Sequence, residues 1–246
     1  MIKIAAVCCT YFRPKQLGAA IKCYEEQTYE NRELIILDDA DQYDYQEGDR
    51  WKLMSMADRY PSLADKRNAL AKMASPDIDA YAVMDDDDYY FPWWLEAIAN
   101  ALENNKWCVP SVALHERPDG VLNQHLTTKG FLSGYHPGWG YRKDVFEAVG
   151  GYPSGWSDGE DIEFFMRCFK EFGPPTFSTN EKYPKPYLLY APRYGIPTIH
   201  MGGKKYGPGI YNEIAKTVTE KAELNIEYIK DYTNAVINPE ILPRPW

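Results

Sequence analysis

Apolar positions along this chain fall into alternating kinds of run. Ile2 to Cys9 is almost continuously apolar, as a strand buried on both faces must be. After a turn at Arg13-Pro14, Gln16 to Gln27 carries Leu17, Ala20, Ile21 and Tyr24 at helical spacing. Arg32 to Leu37 repeats the buried-strand pattern and is closed by Asp38-Asp39. Ser62, with Asp65 three residues on, has the spacing of a capped helix start, and Leu63, Ala64, Arg67, Leu70 and Ala71 follow it. Ala80 to Met84 is a third strand, ended by Asp85, Asp86, Asp87 and Asp88. Strand and helix alternate, so the pattern predicts an α/β fold with a mostly parallel central sheet flanked by helices. Farther on, Ile162, Phe165, Met166 and Phe169 mark another helix. Tyr211 to Tyr232, with Ile214, Val218, Leu224 and Ile229, predicts a long surface helix ahead of a Pro-containing tail from Pro239 to Trp246.

Sheets of this kind bind ligands beyond the carboxyl ends of their strands. Thr10-Tyr11, Asp38-Asp39 and Asp85 to Asp88 each follow a predicted strand, so three polar groups distant in sequence should converge on one edge. Neighbouring carboxylates ionise together only when something positive sits among them, and a divalent cation is the natural candidate. A charge run without such context is more often a solvated loop. The spacing of Asp85, Asp87 and Glu96 imitates positions one, three and twelve of a calcium-binding EF-hand loop. Tyr90 stands where that loop needs Gly, and Pro92 interrupts it.

A chain of 246 residues with 45% hydrophobic residues can build one large domain or two closely joined lobes. With 27 Lys and Arg against 36 Asp and Glu, the net charge of −9 argues against nucleic-acid phosphates and anionic membranes as partners. Twenty Tyr, seven Trp and nine Phe supply flat faces that suit sugar rings or bases, besides filling the core. The five cysteines include no C-x-x-C pair, which points to buried, reduced thiols in a reducing compartment. No apolar run approaches the ~20 residues of a spanning helix, so a cytoplasmic protein without a transmembrane segment is expected.

Several pieces in order complete a recognisable pattern. Thr10-Tyr11-Phe12-Arg13-Pro14 follows the first strand, Asp38-Asp39 the second, Lys66-Arg67-Asn68 lies in a helix, and Asp85-Asp86-Asp87-Asp88 with Pro92 and Leu95 follows the third strand. Gly138-Trp139-Gly140-Tyr141-Arg142-Lys143, Phe146 and Gly150-Gly151 come next, then Glu160-Asp161 with Arg167. Together, across residues 2 to 173, these resemble the nucleotide-sugar-dependent glycosyltransferases of family 2, with the GT-A fold.

The resemblance implies a donor-binding half (1–110), an acceptor or catalytic half (111–205), and a C-terminal helix and tail (206–246). It implies metal-dependent, inverting transfer from a nucleoside-diphosphate sugar, a UDP-sugar foremost, to a hydroxyl acceptor such as a glycan, with Mn²⁺ or Mg²⁺. In that family's terms Asp87 binds the metal, Asp85 meets the donor's ribose, and Asp88 lies near the donor sugar or beside the metal. Asp86 is the variable, dispensable position of the donor-binding run. Thr10, Tyr11 and Arg13 fall in the donor loop, Tyr11 lies against the base, and Asp39 accepts the base N–H. Arg67 reaches diphosphate or base, or is an ordinary helical arginine. Asp38-Asp39-Ala40-Asp41 departs from the usual Asp-Asp-Gly-Ser, which leaves the base specificity open.

His200, in Pro197 to Gly203, is a candidate metal ligand or diphosphate contact, and Lys204 and Lys205 are either diphosphate partners or loop charges. Asp161 is the family's catalytic base, and in the first turn of a helix the dipole keeps such a carboxylate ionised. Ser157 and Glu160 have capping-box spacing, so Glu160 is either structural or an acceptor contact. Trp139 and Trp156 lie in Gly- and Pro-containing loops as acceptor-sugar platforms or as packing residues. A Gln-x-x-Arg-Trp motif is absent, so transfer of a single sugar is expected. Two other readings stay open. A sugar nucleotidyltransferase would want a glycine-rich phosphate loop, and Thr10 to Lys15 contains no Gly. A non-catalytic carbohydrate-binding protein could retain a degenerate GT-A fold.

Overall fold

The computed structural model describes residues 1–110, 112–116, 122–126, 136–178, 188–190 and 220–221. In chain order the elements are β1 (Ile4–Thr10), α1 (Pro14–Glu25), β2 (Arg32–Asp38), β3 (Gln46–Gly48), β4 (Trp51–Ser55), α2 (Leu63–Lys72), β5 (Ala80–Asp85) and β6 (Tyr89–Tyr90). Next come α3 (Trp94–Leu102), β7 (Trp107–Val109), β8 (Val112–Glu116), β9 (Leu122–Leu126), β10 (Gly140–Arg142), α4 (Lys143–Ala148) and α5 (Glu160–Phe172). The last are β11 (Thr176–Phe177), β12 (Leu188–Tyr190) and β13 (Glu220–Lys221).

One sheet has the order β11-β7-β10-β5-β1-β2-β4-β3, and β13-β9-β8-β12-β6 form a second. In the larger sheet only β3 and β10 run against the common direction. Side chains alternate across a strand, and β1 sends both sets into core. Ile4, Ala6 and Cys8 pack with Leu34, Ile36 and Met84 beneath Leu17 and Ile21 of α1 and Leu95 and Ile98 of α3. Ala5, Val7 and Cys9 pack on the other face with Ile35, Leu37 and Val83, covered by Leu70 of α2, Val145 of α4 and Phe164 and Phe165 of α5. Burial on both faces explains the unbroken apolar runs. All five cysteines are buried free thiols. No helix among the described residues is long and apolar enough to cross a membrane.

The three strands expected from those runs match β1, β2 and β5 within one or two residues. Missed were β3 and β4, within and beyond the acidic stretch from Asp41 to Asp49. In β4 only Leu53 is buried, which leaves too little alternation to identify a strand. The long helix expected over Tyr211 to Tyr232 is replaced at Glu220–Lys221 by a strand antiparallel to β9. Backbone groups on the free side of β9 are thereby paired, a demand that helical periodicity does not register. The remainder of that segment and the Pro-containing tail lie outside the described residues.

The expected cap of α2 is present, with Ser62 Oγ accepting from Asp65 N at 3.1 Å and donating to Asp65 Oδ2 at 2.6 Å. Amides at a helix start have no partner inside the helix. Here the loop ahead of α5 supplies them: Leu63 N donates to Ser157 Oγ at 3.2 Å and Ala64 N to Trp156 O at 3.0 Å. Ser154 and Gly155 bond the Asp65 carboxylate in return. One turn on, Asn68 Nδ2 donates to Tyr152 O at 2.9 Å, and Tyr152 N donates to Asn68 Oδ1 at 2.8 Å. This loop is pinned to α2 along its length.

Gly151 has φ +71°, and a Cβ there would lie 2.5 Å from Asn68 Oδ1. Gly155, at φ +83°, has open space where a Cβ would go. Gly155→Ala should therefore lose only left-handed strain, about 1–2 kcal/mol, and Gly151→Ala clearly more, because the Asn68 clamp must also shift. Urea unfolding of the two variants checks this, and equal losses would mean that the clamp has room to yield.

Candidate active site

From β1 the chain passes through α1 to β2 on one side, and it later returns as β5 on the other. Such a reversal of strand order opens a crevice at the carboxyl ends. Register places Thr10 beside Asp38 and Cys9 beside Asp85, so the polar residues that end β1, β2 and β5 share this edge.

Asp85 closes β5, and its N–H donates to Tyr90 Oη at 2.8 Å, folding the chain back through the aspartates. Carboxylate oxygens of Asp85, Asp87 and Asp88 lie within 4.8 Å of one another. Asp86 turns inward instead and is 1% exposed; its Oδ2 accepts from Thr10 Oγ1 at 2.6 Å. Arg13, at the N-cap position of α1 but capping nothing with its side chain, places Nη1 3.2 Å from Asp86 Oδ1 and pairs closely with Asp87 Oδ2. Arg67 lies on the other flank, with Nη2 3.4 Å from Asp85 Oδ1 and Nε 3.5 Å from Glu160 Oε1. Arg13 and Arg67 thus pair with Asp85, Asp86, Asp87 and Glu160, and Asp88 lies in the same cluster, where burial weakens screening. Three clustered carboxylates offer hard oxygen donors, which suit Mg²⁺ or Mn²⁺.

Burial, reinforced by the charges of Asp87 and Asp85 and opposed by Arg13 and Thr10, pushes the Asp86 carboxyl up to about 6. Burial also raises the Cys9 thiol to about 11, so the thiol beneath the site stays protonated at neutral pH.

At the β2 side of the crevice, Asp39 Oδ2 accepts from Tyr60 N at 3.1 Å, and Oδ1 pairs with Lys66, which also donates to Thr10 O at 2.7 Å. Asp38 serves the turn: its Oδ2 accepts from Gln42 N and Ser55 Oγ. Arg59, from the segment between β4 and α2, lies over the Tyr11 ring at 4.1 Å, and Phe12 meets the ring edge-on.

A family model, Glycosyl transferase family 2, matches residues 6–150. The chain belongs to glycosyl transferase family 2. No curated protein matches it. Among solved structures, S. aureus TarS 1-349 in complex with UDP-GlcNAc is 16% identical with a TM-score of 0.57, over 96% of this chain and 72% of that one. The mannosyltransferase PcManGT from Pyrobaculum calidifontis, in complex with GDP-Man and Mn²⁺, is 13% identical with a TM-score of 0.54, over 96% of this chain and 74% of that one. In two further TarS structures the chain spans 60% and 37% of the other chain's length. At these identities the likeness is one of fold, and it is the GT-A fold expected from the motifs.

Of the residues singled out in this family 2 sequence, Thr10, Arg13, Asp39, Asp86 and Asp87 are linked by bonds that include Lys66, Arg67 pairs with Asp85, and the Asp85, Asp87 and Asp88 carboxylates bring the two groups together. Glu160 joins them from beneath: it is fully buried beside Arg67, not open to an acceptor. Its capping-box role falls too, because Gly159 is the N-cap of α5, with no side-chain cap bond, and Ser157 Oγ accepts from Leu63 N of α2. Trp139, expected as a possible sugar platform, is 3% exposed and packs against Trp107, His136 and Phe165. Trp156 is 47% exposed. Asp161 is half-buried in the first turn of α5, with Oδ1 accepting from Ile162 N at 2.8 Å. His200, Lys204 and Lys205 lie outside the described residues.

Sequence reasoning gave no site role to Lys66, which it quoted only within its motif, and none to Arg59. Lys66 had one usable signal, its place on the same helical face as buried Leu63 and Leu70.

Asp86 is too buried to be an idle position, and its charge weighs against the fold. A carboxyl whose folded value lies above its unfolded value of 3.8 lends most stability when protonated, and that contribution is lost as pH rises through about 6. Asp86→Asn, a neutral isostere, should therefore raise Tm at pH 7.5 by a few degrees, with about 1 kcal/mol equal to roughly 2–4 °C at this size. The gain should vanish near pH 4. A lower Tm at pH 7.5 would show that the Arg13 pairing outweighs the burial of this charge.

Proposed function

We propose that this family 2 chain is a metal-dependent, inverting, non-processive glycosyltransferase that moves one sugar from a nucleoside-diphosphate donor to a hydroxyl acceptor such as a glycan. The observation that carries this reading is the meeting of the Asp85, Asp87 and Asp88 carboxylates at the reversal of strand order beside β1. Breaking the bond between the anomeric carbon and the diphosphate leaves negative charge on the leaving group, and stabilising that charge is the main demand. A divalent cation would supply Lewis-acid stabilisation there. In this assignment Asp87 and Asp88 hold the cation, with His200 as a further candidate, and Asp85 meets the donor's ribose. A UDP-sugar is the favoured donor, with Tyr11 against the base and Asp39 at its N–H. Complexes of TarS with UDP-GlcNAc and of PcManGT with GDP-Man and Mn²⁺ support a nucleoside-diphosphate sugar as the donor class and Mn²⁺ as the ion.

Asp161 acts as the general base that takes the acceptor's proton during a single displacement. It follows Glu160, whose partner Arg67 also pairs with Asp85, and this nearness supports the assignment. Residues 1–110 make the donor half and 111–205 the acceptor half. The buried free thiols support a reducing, cytoplasmic setting.

Incubation with candidate nucleotide sugars, with and without Mn²⁺, should release nucleoside diphosphate only with the metal, and Asp87→Ala should abolish the release. If no donor is cleaved and none binds in a metal-dependent way, the protein is a non-catalytic member of the family. Asp161→Asn should slow transfer by about 10²–10⁴-fold, the range for a lost general base, while Mn²⁺-dependent UDP binding stays within about twofold. Undiminished transfer would remove Asp161 from that role.

A further inference from the structure

Arg13 holds a position that a bound cation would contest. Its guanidinium is almost wholly buried and spans Asp86 and Asp87. Asp87 also belongs to the trio whose oxygens approach within 4.8 Å. The same carboxylate therefore serves both a permanent cation of the chain and the only described cluster able to hold a metal ion. A guanidinium and a divalent cation drawn to one buried carboxylate repel each other, and weak screening inside the crevice strengthens the conflict.

The segment that carries Arg13 includes a strained residue. Phe12, just before it, sits at φ 54°, a left-handed conformation unfavourable for a side chain of that size. It is held there by Phe12 N donating to Gln42 Oε1 at 2.9 Å, and its ring is 43% exposed. A strained residue next to a movable charge allows that charge to change partners with a small backbone adjustment.

We propose that Arg13 is a placeholder for the metal's charge. In the metal-free protein it neutralises Asp87; when a divalent cation takes Asp87, the guanidinium is released and pairs with the diphosphate of the donor. This inference rests on the proposed metal- and donor-binding reading of the site and adds a rule of coupling to it. Cation and nucleoside diphosphate each weaken the Arg13–Asp87 pair, so each favours the other, and linkage requires the effect to be equal in both directions. Before the donor arrives, Arg13 holds metal affinity down, and the site folds without the ion because its buried aspartates already have a counter-ion.

The test uses the full chain, Mn²⁺ followed by the EPR signal of the free ion, and UDP binding followed by calorimetry. In the wild type, saturating UDP should tighten Mn²⁺ binding by on the order of tenfold, and Mn²⁺ should tighten UDP binding by the same factor. Arg13→Gln should bind Mn²⁺ about tenfold more tightly than wild type without UDP, and its coupling should fall clearly below that of wild type, leaving only the part that direct attraction between cation and diphosphate supplies. Arg13→Lys keeps one charge without the two-pronged fork and should fall between the two. Should Arg13→Gln not fold, absence of the coupling in wild type, or wild-type-like coupling in Arg13→Lys, would overturn the proposal. Arg13→Gln with unchanged or weaker Mn²⁺ affinity and full coupling would show that Arg13 is a fixed structural partner, leaving the metal-dependent reading intact. If neither wild type nor Arg13→Gln binds Mn²⁺, the metal reading itself fails and the proposal falls with it.

Discussion

Four consecutive carboxylates at the end of a buried strand set the condition that the rest of this edge answers. Asp86, Asp87 and Asp88 are all buried, and Asp85 closes β5 in register with the end of β1. Charges of one sign cannot be gathered out of water without compensation. Arg13 reaches them from the start of α1, Arg67 from α2, and Thr10 from the last residue of β1. Each compensating group comes from a different element, so the charge cluster ties those elements to a common point. Glu160 adds a further carboxylate on the far side of Arg67.

Helix α2 carries the heaviest part of that answer. Lys66, Arg67 and Asn68 are consecutive, and successive helical residues point about 100° apart. Three neighbours thus serve three directions: Lys66 the junction of β1 with Asp39, Arg67 the aspartates and Glu160, and Asn68 the backbone of Tyr152. The start of the same helix takes its missing partners from residues 154–157. The Asp39 end of the crevice, the aspartate cluster and the approach to α5 are therefore held by one helix. A shift of α2 by a fraction of an ångström would be felt at all three.

The sequence showed the sheet's centre well, because burial on both faces leaves an unmistakable trace in β1, β2 and β5. It also showed which strand ends should meet, since parallel order puts every carboxyl end on one edge. What it could not show was which polar side chains turn inward. Asp86 looked like the spare member of its run, yet it is the one bonded to Thr10. Glu160 had capping-box spacing, but the α2 start competed for Ser157 and won, leaving Gly159 as the N-cap. Trp139 sits among glycines that suggested an exposed loop, whereas the aromatic cluster of Trp107, His136 and Phe165 draws it into the core. In each case a contact between distant segments decided the outcome, and local spacing carries no record of such contacts.

The base end of the crevice shows the same limit with a functional consequence. Both Asp39 oxygens are engaged, one by Lys66 and the other by the Tyr60 amide. Any nucleobase that uses this carboxylate must share it with a buried ammonium, so it meets an acceptor and a donor side by side and not a bare anion. An N–H beside a carbonyl complements that pair, and the uracil imide and the guanine lactam both present one. The carboxylate alone therefore would not separate these bases; under the proposed placement of a base against Tyr11, the room beside Arg59 would, because a single ring and a fused pair differ in size more than in their hydrogen-bonding edge.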